Sequence, residues 1–341
     1  MKDFGQINHK EIVELVVIII GIYISYLYFG VLQEGIYTDP KREKFNQAEF
    51  VVFVQCLIGF ILSFSCMKFG ITFGETPNPK PYIGEKVGMW QQYKYKIVHA
   101  TVFALSMIFS NISITYVSYP TQALAKSCKI LPVMMGGFFV SEVKYEKIQY
   151  ISVSFITSGI LMFNLMKTTS GSADSIIGLF CLFLSLTCDA INGYFTEQVR
   201  HRNKPTSLEM MSYCNGWGLL VTGLVVLFFS NLAYETPLFT YLYQYPGILW
   251  DIFKFGFMSA IGQMFIFRGV KVLGALTLSI ITTTRKFMTV ILSIIYYNHS
   301  LNGYQWVSLL LVFSGTGMDF YLSLTRKDKK VKQDIERPSK D

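Results

Sequence analysis

Four basic side chains stand in apolar stretches of the sequence, where a cation lacks aqueous partners. Lys126 and Lys129 lie three residues apart in the segment from Pro120 to Val140, and Arg285 and Lys286 are adjacent in a second apolar segment. Residues three apart share one face of a helix. A cation near the centre of a bilayer costs about 2.5–3.5 kcal/mol even on a lenient insertion scale. We therefore expect these cations to face a wet cavity or an anion, and arginine's planar fork suits a phosphate in particular.

Snorkelling to the membrane surface is the alternative for such lysines, because a lysine stem can cover apolar surface while its ammonium reaches water. Lys126 stands about two turns into its apolar segment and could do this, whereas Lys129, Arg285 and Lys286 lie deeper. Embedded acids are few, so internal pairing would leave a surplus of positive charge. We therefore predict that all four cations bind an anionic ligand.

Two further polar residues are candidates for the same site, and each keeps a second interpretation. Glu34 follows the first apolar segment. It is either an ordinary interfacial carboxylate or a counter-charge that pairs with the cations when the cavity is empty. Gln263 could hydrogen-bond a base or a sugar hydroxyl, and a hydrogen bond between two helices is equally consistent with its position. Asp189, in contrast, is interpreted as a structural hydrogen-bonding group.

The composition indicates a membrane protein. The chain has 341 residues, of which 52% are hydrophobic and 15% charged, whereas soluble proteins carry about 25% charged residues. The net charge of +8 falls between apolar segments, and no zinc-finger or RNP pattern accompanies it, so a nucleic-acid partner is not expected. The six cysteines and four histidines lack metal-ligand spacing; we expect buried free thiols, no metal site and no cofactor.

Apolar windows of about 20 residues, the length that crosses a bilayer as a helix, occur ten times. Lysine and arginine are concentrated in alternate connections, which predicts that both termini are cytosolic. The sequence therefore predicts an all-α membrane protein with ten transmembrane helices. The predicted spans are approximately Ile12 to Leu32, Phe50 to Phe69, Ile97 to Val117, Thr121 to Val140, Tyr150 to Leu165, Ile176 to Thr196, Leu208 to Phe229, Ile252 to Val272, Thr277 to Tyr297 and Gln305 to Leu324.

An internal repeat divides these spans into two sets of five. A shift of 156 residues aligns the fourth span with the ninth and the fifth with the tenth. Because the shift covers an odd number of helices, the halves would be inserted in opposite orientations, as in the inverted repeats of secondary transporters. We divide the chain into a cytosolic N-terminus (1–11), a first five-helix repeat (12–170), a second five-helix repeat (171–325) and a disordered basic cytosolic tail (326–341). The aligned pairs include Thr121 with Thr277, Lys129 with Arg285, Gln149 with Gln305, Ser152 with Ser308, and Ser158-Gly159 with Ser314-Gly315.

Several motifs carry a family resemblance. They are Pro120-Thr121-Gln122, Lys126-Ser127-Cys128-Lys129, Pro132-Val133-Met134, Ser259-Ala260-Ile261-Gly262-Gln263, the segment from Ser279 to Phe287, and Gln305-Trp306-Val307. On these motifs the chain resembles the nucleotide-sugar transporters of solute carrier family 35, subfamily B, in the drug/metabolite transporter superfamily. It is similar in particular to the branch of UDP-galactose transporter homologues and endoplasmic reticulum ATP/ADP exchangers. The resemblance covers nearly every predicted span.

The resemblance implies a transporter that exchanges nucleotide sugars or nucleotides across an endomembrane. It implies that Lys126, Lys129, Arg285 and Lys286 hold the phosphates, and it matches Glu34 to an acid in the first helix. We expect an antiporter that moves a UDP-sugar, of the UDP-galactose or UDP-glucose type, in exchange for a nucleotide by alternating access around a cationic central cavity. ATP/ADP exchange in the endoplasmic reticulum and a non-transport membrane scaffold are the alternatives.

The remaining expectations concern activity, location and assembly. An enzyme is not expected, because the sequence has no Asp-x-Asp or His-x4-Asp pattern. The endoplasmic reticulum membrane is the expected location, and the Golgi membrane is the second choice because the chain ends without a dilysine signal. A homodimer is left open.

Overall fold

The computed structural model describes residues 9–71, 89–126, 147–168, 175–203, 205–229, 237–272, 274–298 and 301–336. Lys129 and most of the predicted fourth span lie outside the described residues. Within the described ranges the chain forms eleven helices and no strand, in agreement with the predicted all-α class. In chain order these are α1 (His9–Thr38), α2 (Ala48–Lys68), α3 (Met89–Tyr116), α4 (Tyr119–Ala125), α5 (Lys147–Thr168), α6 (Ile176–Asn203), α7 (Ser207–Phe229), α8 (Leu238–Gln244), α9 (Gly247–Val272), α10 (Gly274–Tyr296) and α11 (Gly303–Glu336).

Many of these helices have the length and the apolar composition of membrane-spanning helices. Six of the described segments are long and apolar enough to cross a membrane: Val13–Thr38, Ala48–Lys68, Tyr93–Tyr116, Lys147–Met166, Ile176–Thr196 and Ser207–Phe228. Each falls on a span predicted from the sequence. The fold is therefore that of a multi-span membrane protein.

Helix is also present outside the predicted spans, in one connection and at the end of the chain. The short helix α8 lies in the connection between the predicted seventh and eighth spans, and it buries Leu238 and Tyr241 against its neighbours. At the other end of the chain, α11 continues to Glu336, through most of the segment for which the charge composition predicts disorder. A helix that has already formed propagates at little cost, because only its first turn requires nucleation.

Large apolar side chains are exposed on the outside of the bundle, and polar side chains are buried inside it together with apolar ones. On α1 the exposed residues include Val13, Val17, Ile20 and Ile24. On α3 the buried residues include Ser106, Ser110, Asn111 and Ser113. Buried polar groups join helices across the interior; for example, Gln33 Nε2 donates to Asn111 Oδ1 at 3.1 Å. Such contacts support helix association in a membrane, where lipid tails replace water outside the protein.

Helices α5 and α11 pack through two glycines with reciprocal contacts. A Cβ atom added at Gly159 would lie 2.9 Å from the carbonyl oxygen of Ser308, and one added at Gly315 would lie 2.8 Å from the carbonyl oxygen of Ser152. Any side chain at either position would therefore push the helices apart. The 156-residue shift aligns Ser152 with Ser308 and Gly159 with Gly315. Gly159 therefore contacts the residue aligned with Ser152, and Gly315 contacts the residue aligned with Ser308.

The helix pairs can be compared by exchanging helices of the first half of the chain with helices of the second half. Helix α3 packs on α6 and α1 on α9, while α3 packs on α7 and α2 on α9. In addition, α2 packs on α7 and α5 on α11. If α1, α2, α3 and α5 are exchanged with α6, α7, α9 and α11 respectively, the α3–α6 pair becomes α1–α9 and the α3–α7 pair becomes α2–α9. The α2–α7 and α5–α11 pairs are converted into themselves. The packing of these eight helices is thus unchanged by the exchange.

Candidate functional site

Three of the four predicted cations line one internal cavity. The cavity has a volume of about 220 Å³ and lies between α1, α4, α6 and α10. Lys126, Arg285 and Lys286 contribute its positive charge, and Asp189 is the acidic residue among its described lining residues. The remaining lining residues are Tyr26, Phe29, Gln33, Tyr119, Gln122, Ala123 and Thr289.

The local structure of α4 places Lys126 at this cavity. Ser118 is the N-cap of the helix, and its side chain accepts from the backbone N–H of Thr121. Pro120 occupies the first turn, where a missing N–H is tolerated. The helix ends at Ala125 and Lys126 is its C-cap, with its N–H donating to the carbonyl of Gln122 at 2.9 Å. Lys126 therefore stands at the negative end of a helix, which favours a cation.

The guanidinium of Arg285 is buried beside an aromatic ring. Its Cζ atom lies 4.4 Å from the centre of the Tyr26 ring, which is a cation–π geometry. Its Nε atom is buried and has no hydrogen-bond partner among the described residues. The Tyr26 ring also packs closely on Gly262 of α9, since a Cβ added there would lie 2.5 Å from the ring. Arg285 is thus fixed in position while part of its hydrogen-bonding capacity is unused.

Lys286 connects α10 to the end of α4. Its ammonium donates to the backbone carbonyl of Lys126 at 2.7 Å. The last carbonyls of a helix lack partners within the helix, so this bond satisfies one of them. The contact holds the two lysines and Arg285 in one region of the cavity wall.

Asp189 contributes a carboxylate to the same cavity. The hydroxyl of Ser106 on α3 donates to its Oδ1 atom at 2.5 Å. The interpretation of Asp189 as a hydrogen-bonding group therefore agrees with the geometry, but its position on the cavity wall was not predicted. Asp189 thus places a carboxylate on a cavity wall that also carries three cations.

Glu34 lies beside the cavity rather than among its lining residues. Its side chain is 1% exposed, and Ser293 of α10 donates to its Oε2 atom at 2.6 Å. The carboxylate is therefore buried between α1 and α10. Its neighbour Gln33 lines the cavity instead.

Gln263 lines a second cavity of about 250 Å³. Asn215 of α7 donates to its Oε1 atom at 2.8 Å, which is a hydrogen bond between two helices, one of the two interpretations left open by the sequence. The second cavity also contains His99, whose ring nitrogens lie 2.9 Å from the hydroxyl oxygens of Tyr213 and Thr196. Tyr26 lines both cavities.

Polar contacts tie together the end of the bundle where α1 ends. The guanidinium of Arg42 lies 3.3 Å from Asp251 of α9 and donates to the carbonyl of Gly35 at 3.0 Å. The ammonium of Lys44 donates to the carbonyl of Thr115 at the end of α3. Tyr241 of α8, whose hydroxyl pKa is raised by burial, donates to the connection between α1 and α2. These contacts link α1, α3, α8 and α9 at this end.

Sequence reasoning did not assign Tyr26, Gln33, Gln122 or Asp189 to the site. Tyr26 lies in a helix with several other tyrosines, so its type alone does not distinguish it. Gln122 lies in the motif that carries the family resemblance, four residues before Lys126. That spacing places both residues on one helix face. It was the one feature of the sequence that could have assigned Gln122 to the site.

A multi-helix membrane protein with three cations around one cavity has the architecture of a membrane transporter. The comparisons with known proteins agree with this class. Residues 14–323 match the UAA transporter family. The chain belongs to this family, as the resemblance to nucleotide-sugar transporters predicted, and it is a transporter rather than an enzyme.

Individual relatives match over nearly the whole chain. The chain is 36% identical over 320 residues to solute carrier family 35 member B1 of Danio rerio, a match that covers 91% of this chain and 92% of that protein. It is 37% identical over 317 residues to the protein of the same name from Gallus gallus, covering 91% and 93%. A solved crystal structure superposes with a TM-score of 0.53 at 9% identity and covers 90% of this chain and 96% of that chain, which shows a shared fold.

Proposed function

We propose that the protein is an antiporter that carries a UDP-sugar, of the UDP-galactose or UDP-glucose type, across an endomembrane in exchange for a nucleotide. The observation that carries this proposal is the group formed by Lys126, Arg285 and Lys286 on one cavity wall. The Nε atom of Arg285 is buried without a hydrogen bond among the described residues, and a buried polar atom that lacks a hydrogen bond is costly. A diphosphate would supply the missing acceptors, and a guanidinium binds phosphate oxygens bidentately.

The two cavities provide room for the parts of such a ligand. The cationic cavity of about 220 Å³ is small for a whole nucleotide sugar. Because Tyr26 lines both cavities, a longer ligand can extend past this ring into the second one. In this arrangement the phosphates bind the cations, and Gln263 is available for the base or the sugar. Lys129 is part of the proposed phosphate site by its position in the sequence.

The internal symmetry supports alternating access. The reciprocal glycine contacts of α5 and α11 and the exchangeable helix pairs are what two inverted five-helix repeats (12–170 and 171–325) would produce. Such repeats rock about a site near the membrane midplane. We propose that both termini are cytosolic, so that the contacts around Arg42 hold the non-cytosolic side together. The endoplasmic reticulum is the proposed location.

Mutual repulsion of the cations favours exchange over one-way transport. When a cavity with several cations closes without an anion, only Asp189 offsets their charge within the described wall. Return of the carrier with a bound nucleotide should therefore be faster than return without one. This also accounts for Asp189 on the wall, since a carboxylate lowers the cost of the ligand-free state.

Counterflow in proteoliposomes tests the proposal. Vesicles preloaded with UMP should take up labelled UDP-galactose or UDP-glucose faster than empty vesicles, and Arg285→Ala should abolish the uptake. Lys254→Ala is the matched control, because Lys254 is a cation that pairs with Asp251 and does not line the cavity. Equal uptake by preloaded and empty vesicles would refute antiport. Uptake of ATP but of no UDP-sugar would favour the ATP/ADP exchanger, to which the same cations are suited.

A further inference from the structure

A separate groove of about 500 Å³ runs along the outside of the bundle between α1, α2 and α9. It shares no described lining residue with the two cavities. Its volume lies within the range of about 300–1,000 Å³ that is typical of small-molecule sites. Its apolar wall includes Val17, Ile18, Leu62, Phe257, Ile261 and Met264.

The groove has the length of one acyl chain in one leaflet. Its lining residues on α9 extend from Phe257 to Arg268, which is about 16 Å at a helical rise of 1.5 Å per residue. Half of a hydrocarbon core of about 30 Å is about 15 Å. The apolar part of the groove therefore matches the depth of a single leaflet.

An ion pair closes the groove at the end nearest the helix termini. Glu14 lies in the second turn of α1, and Arg268 lies in the last two turns of α9. The Nε atom of Arg268 donates to Oε1 of Glu14 at 2.8 Å, and Nη2 donates to the same oxygen. Neither of these two bonds uses the second carboxylate oxygen, Oε2. The Glu14 side chain is 39% exposed and that of Arg268 is 18% exposed, so the pair is accessible at headgroup depth.

We infer that this groove binds a phospholipid with a primary ammonium headgroup, of the phosphatidylethanolamine type. One acyl chain lies along the α9 wall, the phosphate faces the guanidinium of Arg268, and the ammonium donates to Oε2 of Glu14. The negative phosphate of the headgroup thus faces the positive Arg268, and the positive ammonium faces the negative Glu14. A choline headgroup has no N–H donor, and an anionic headgroup without an amine would place negative charge against Glu14, so both should bind less well.

Phe265 belongs both to the groove and to the contact between α1 and α9. It lines the groove, and its ring packs so closely on α1 that a Cβ added at Gly21 would lie 2.5 Å from it. A lipid that fills the groove therefore supports Phe265 against Gly21. Phosphatidylethanolamine should accordingly raise the melting temperature of the protein more than phosphatidylcholine does.

Native mass spectrometry of the full chain with an equimolar mixture of phosphatidylethanolamine and phosphatidylcholine of matched acyl chains tests this site. The wild-type protein should retain the ethanolamine lipid about threefold over the choline lipid, the size expected of a partly exposed ionic contact. Glu14→Gln should equalise the two lipids. Asp251→Asn, which neutralises an acid at the other end of α9, should leave the preference intact.

A groove-filling variant keeps the test decisive if Glu14→Gln fails to insert. Val17 is 51% exposed, so Val17→Trp should fold while it blocks the groove and lowers the retention of both lipids. Equal retention of the two lipids by the wild-type protein would overturn the inference, as would a preference that survives both Glu14→Gln and Val17→Trp. Because the test does not measure transport, its outcome is independent of the proposed antiport.

Discussion

Replacement of Arg285 by methionine separates a ligand-binding cation from a structural one. A guanidinium at membrane depth costs about 2.5–3.5 kcal/mol, and its cation–π contact with Tyr26 returns about 0.5–2 kcal/mol. The ligand-free Arg285→Met protein should therefore be more stable than the wild type by about 0.5–3 kcal/mol. Hydrogen bonds to charged groups contribute about 1.5–3 kcal/mol each. The loss of one such bond to phosphate should weaken nucleotide binding about 10- to 100-fold.

Two measurements on the same preparation check this prediction. Thermal unfolding without ligand should give a higher melting temperature, and counterflow should show the loss of uptake. Arg42→Met is the matched control for stability, because Arg42 is also largely buried but is paired with Asp251. That variant should melt at a lower temperature, since it leaves a carboxylate without one of its cations. A destabilised Arg285→Met protein that still transports would refute the assignment of Arg285 to the ligand.

Three further predictions concern other contacts of the fold. Lys286→Met removes a cation and its bond to the Lys126 carbonyl, so the apparent affinity for the nucleotide, measured by competition, should fall about tenfold. Ser293→Ala removes a hydrogen bond to the buried Glu34 and should lower the free energy of unfolding by about 1–3 kcal/mol, measured by thermal or denaturant unfolding; an unchanged stability would show that the bond is not formed. Gly159→Val and Gly315→Val should destabilise the α5–α11 contact to a similar extent, about 1–3 kcal/mol each, measured as the fraction of monodisperse protein after heating. A large effect of one and none of the other would contradict the symmetric packing.

The sequence predicted which residue types belong in the cavity better than it predicted their partners. Lys126, Arg285 and Lys286 were identifiable because a cation is expensive in an apolar helix, so its presence implies a compensating environment. Glu34 and Gln263 were weaker candidates, because a carboxylate or an amide has many acceptable partners in a helix bundle. Their placement, beside the cavity and in a neighbouring one, depends on helix rotation, which hydropathy does not fix.

The long helices were predictable because about 20 apolar residues have few alternatives in a bilayer. Helix α8 was not, since it is short and its stability depends on the burial of Leu238 and Tyr241 against distant residues. Asp189 was assigned as a hydrogen-bonding group from the sequence, and Ser106 supplies that bond. Its exposure to the cavity follows from the packing of α3 on α6, which a single sequence does not reveal.

Helix α1 connects the separate features of this molecule. Glu14 and Val17 face the outer groove, Tyr26 and Gln33 face the inner cavity, and the carbonyl of Gly35 accepts from Arg42 at the tied end. A shift of α1 relative to α9 would therefore alter all three regions together. The two helices are in close contact at Gly21 and Gly262, where an added Cβ would lie 2.5 Å from a ring of the other helix. If the halves of the protein rock during transport, the α1–α9 contact must move as a unit or break at those glycines. Bulk introduced at Gly21 or Gly262 is thus expected to disturb transport and helix packing together, whereas a substitution of Arg285 disturbs transport alone.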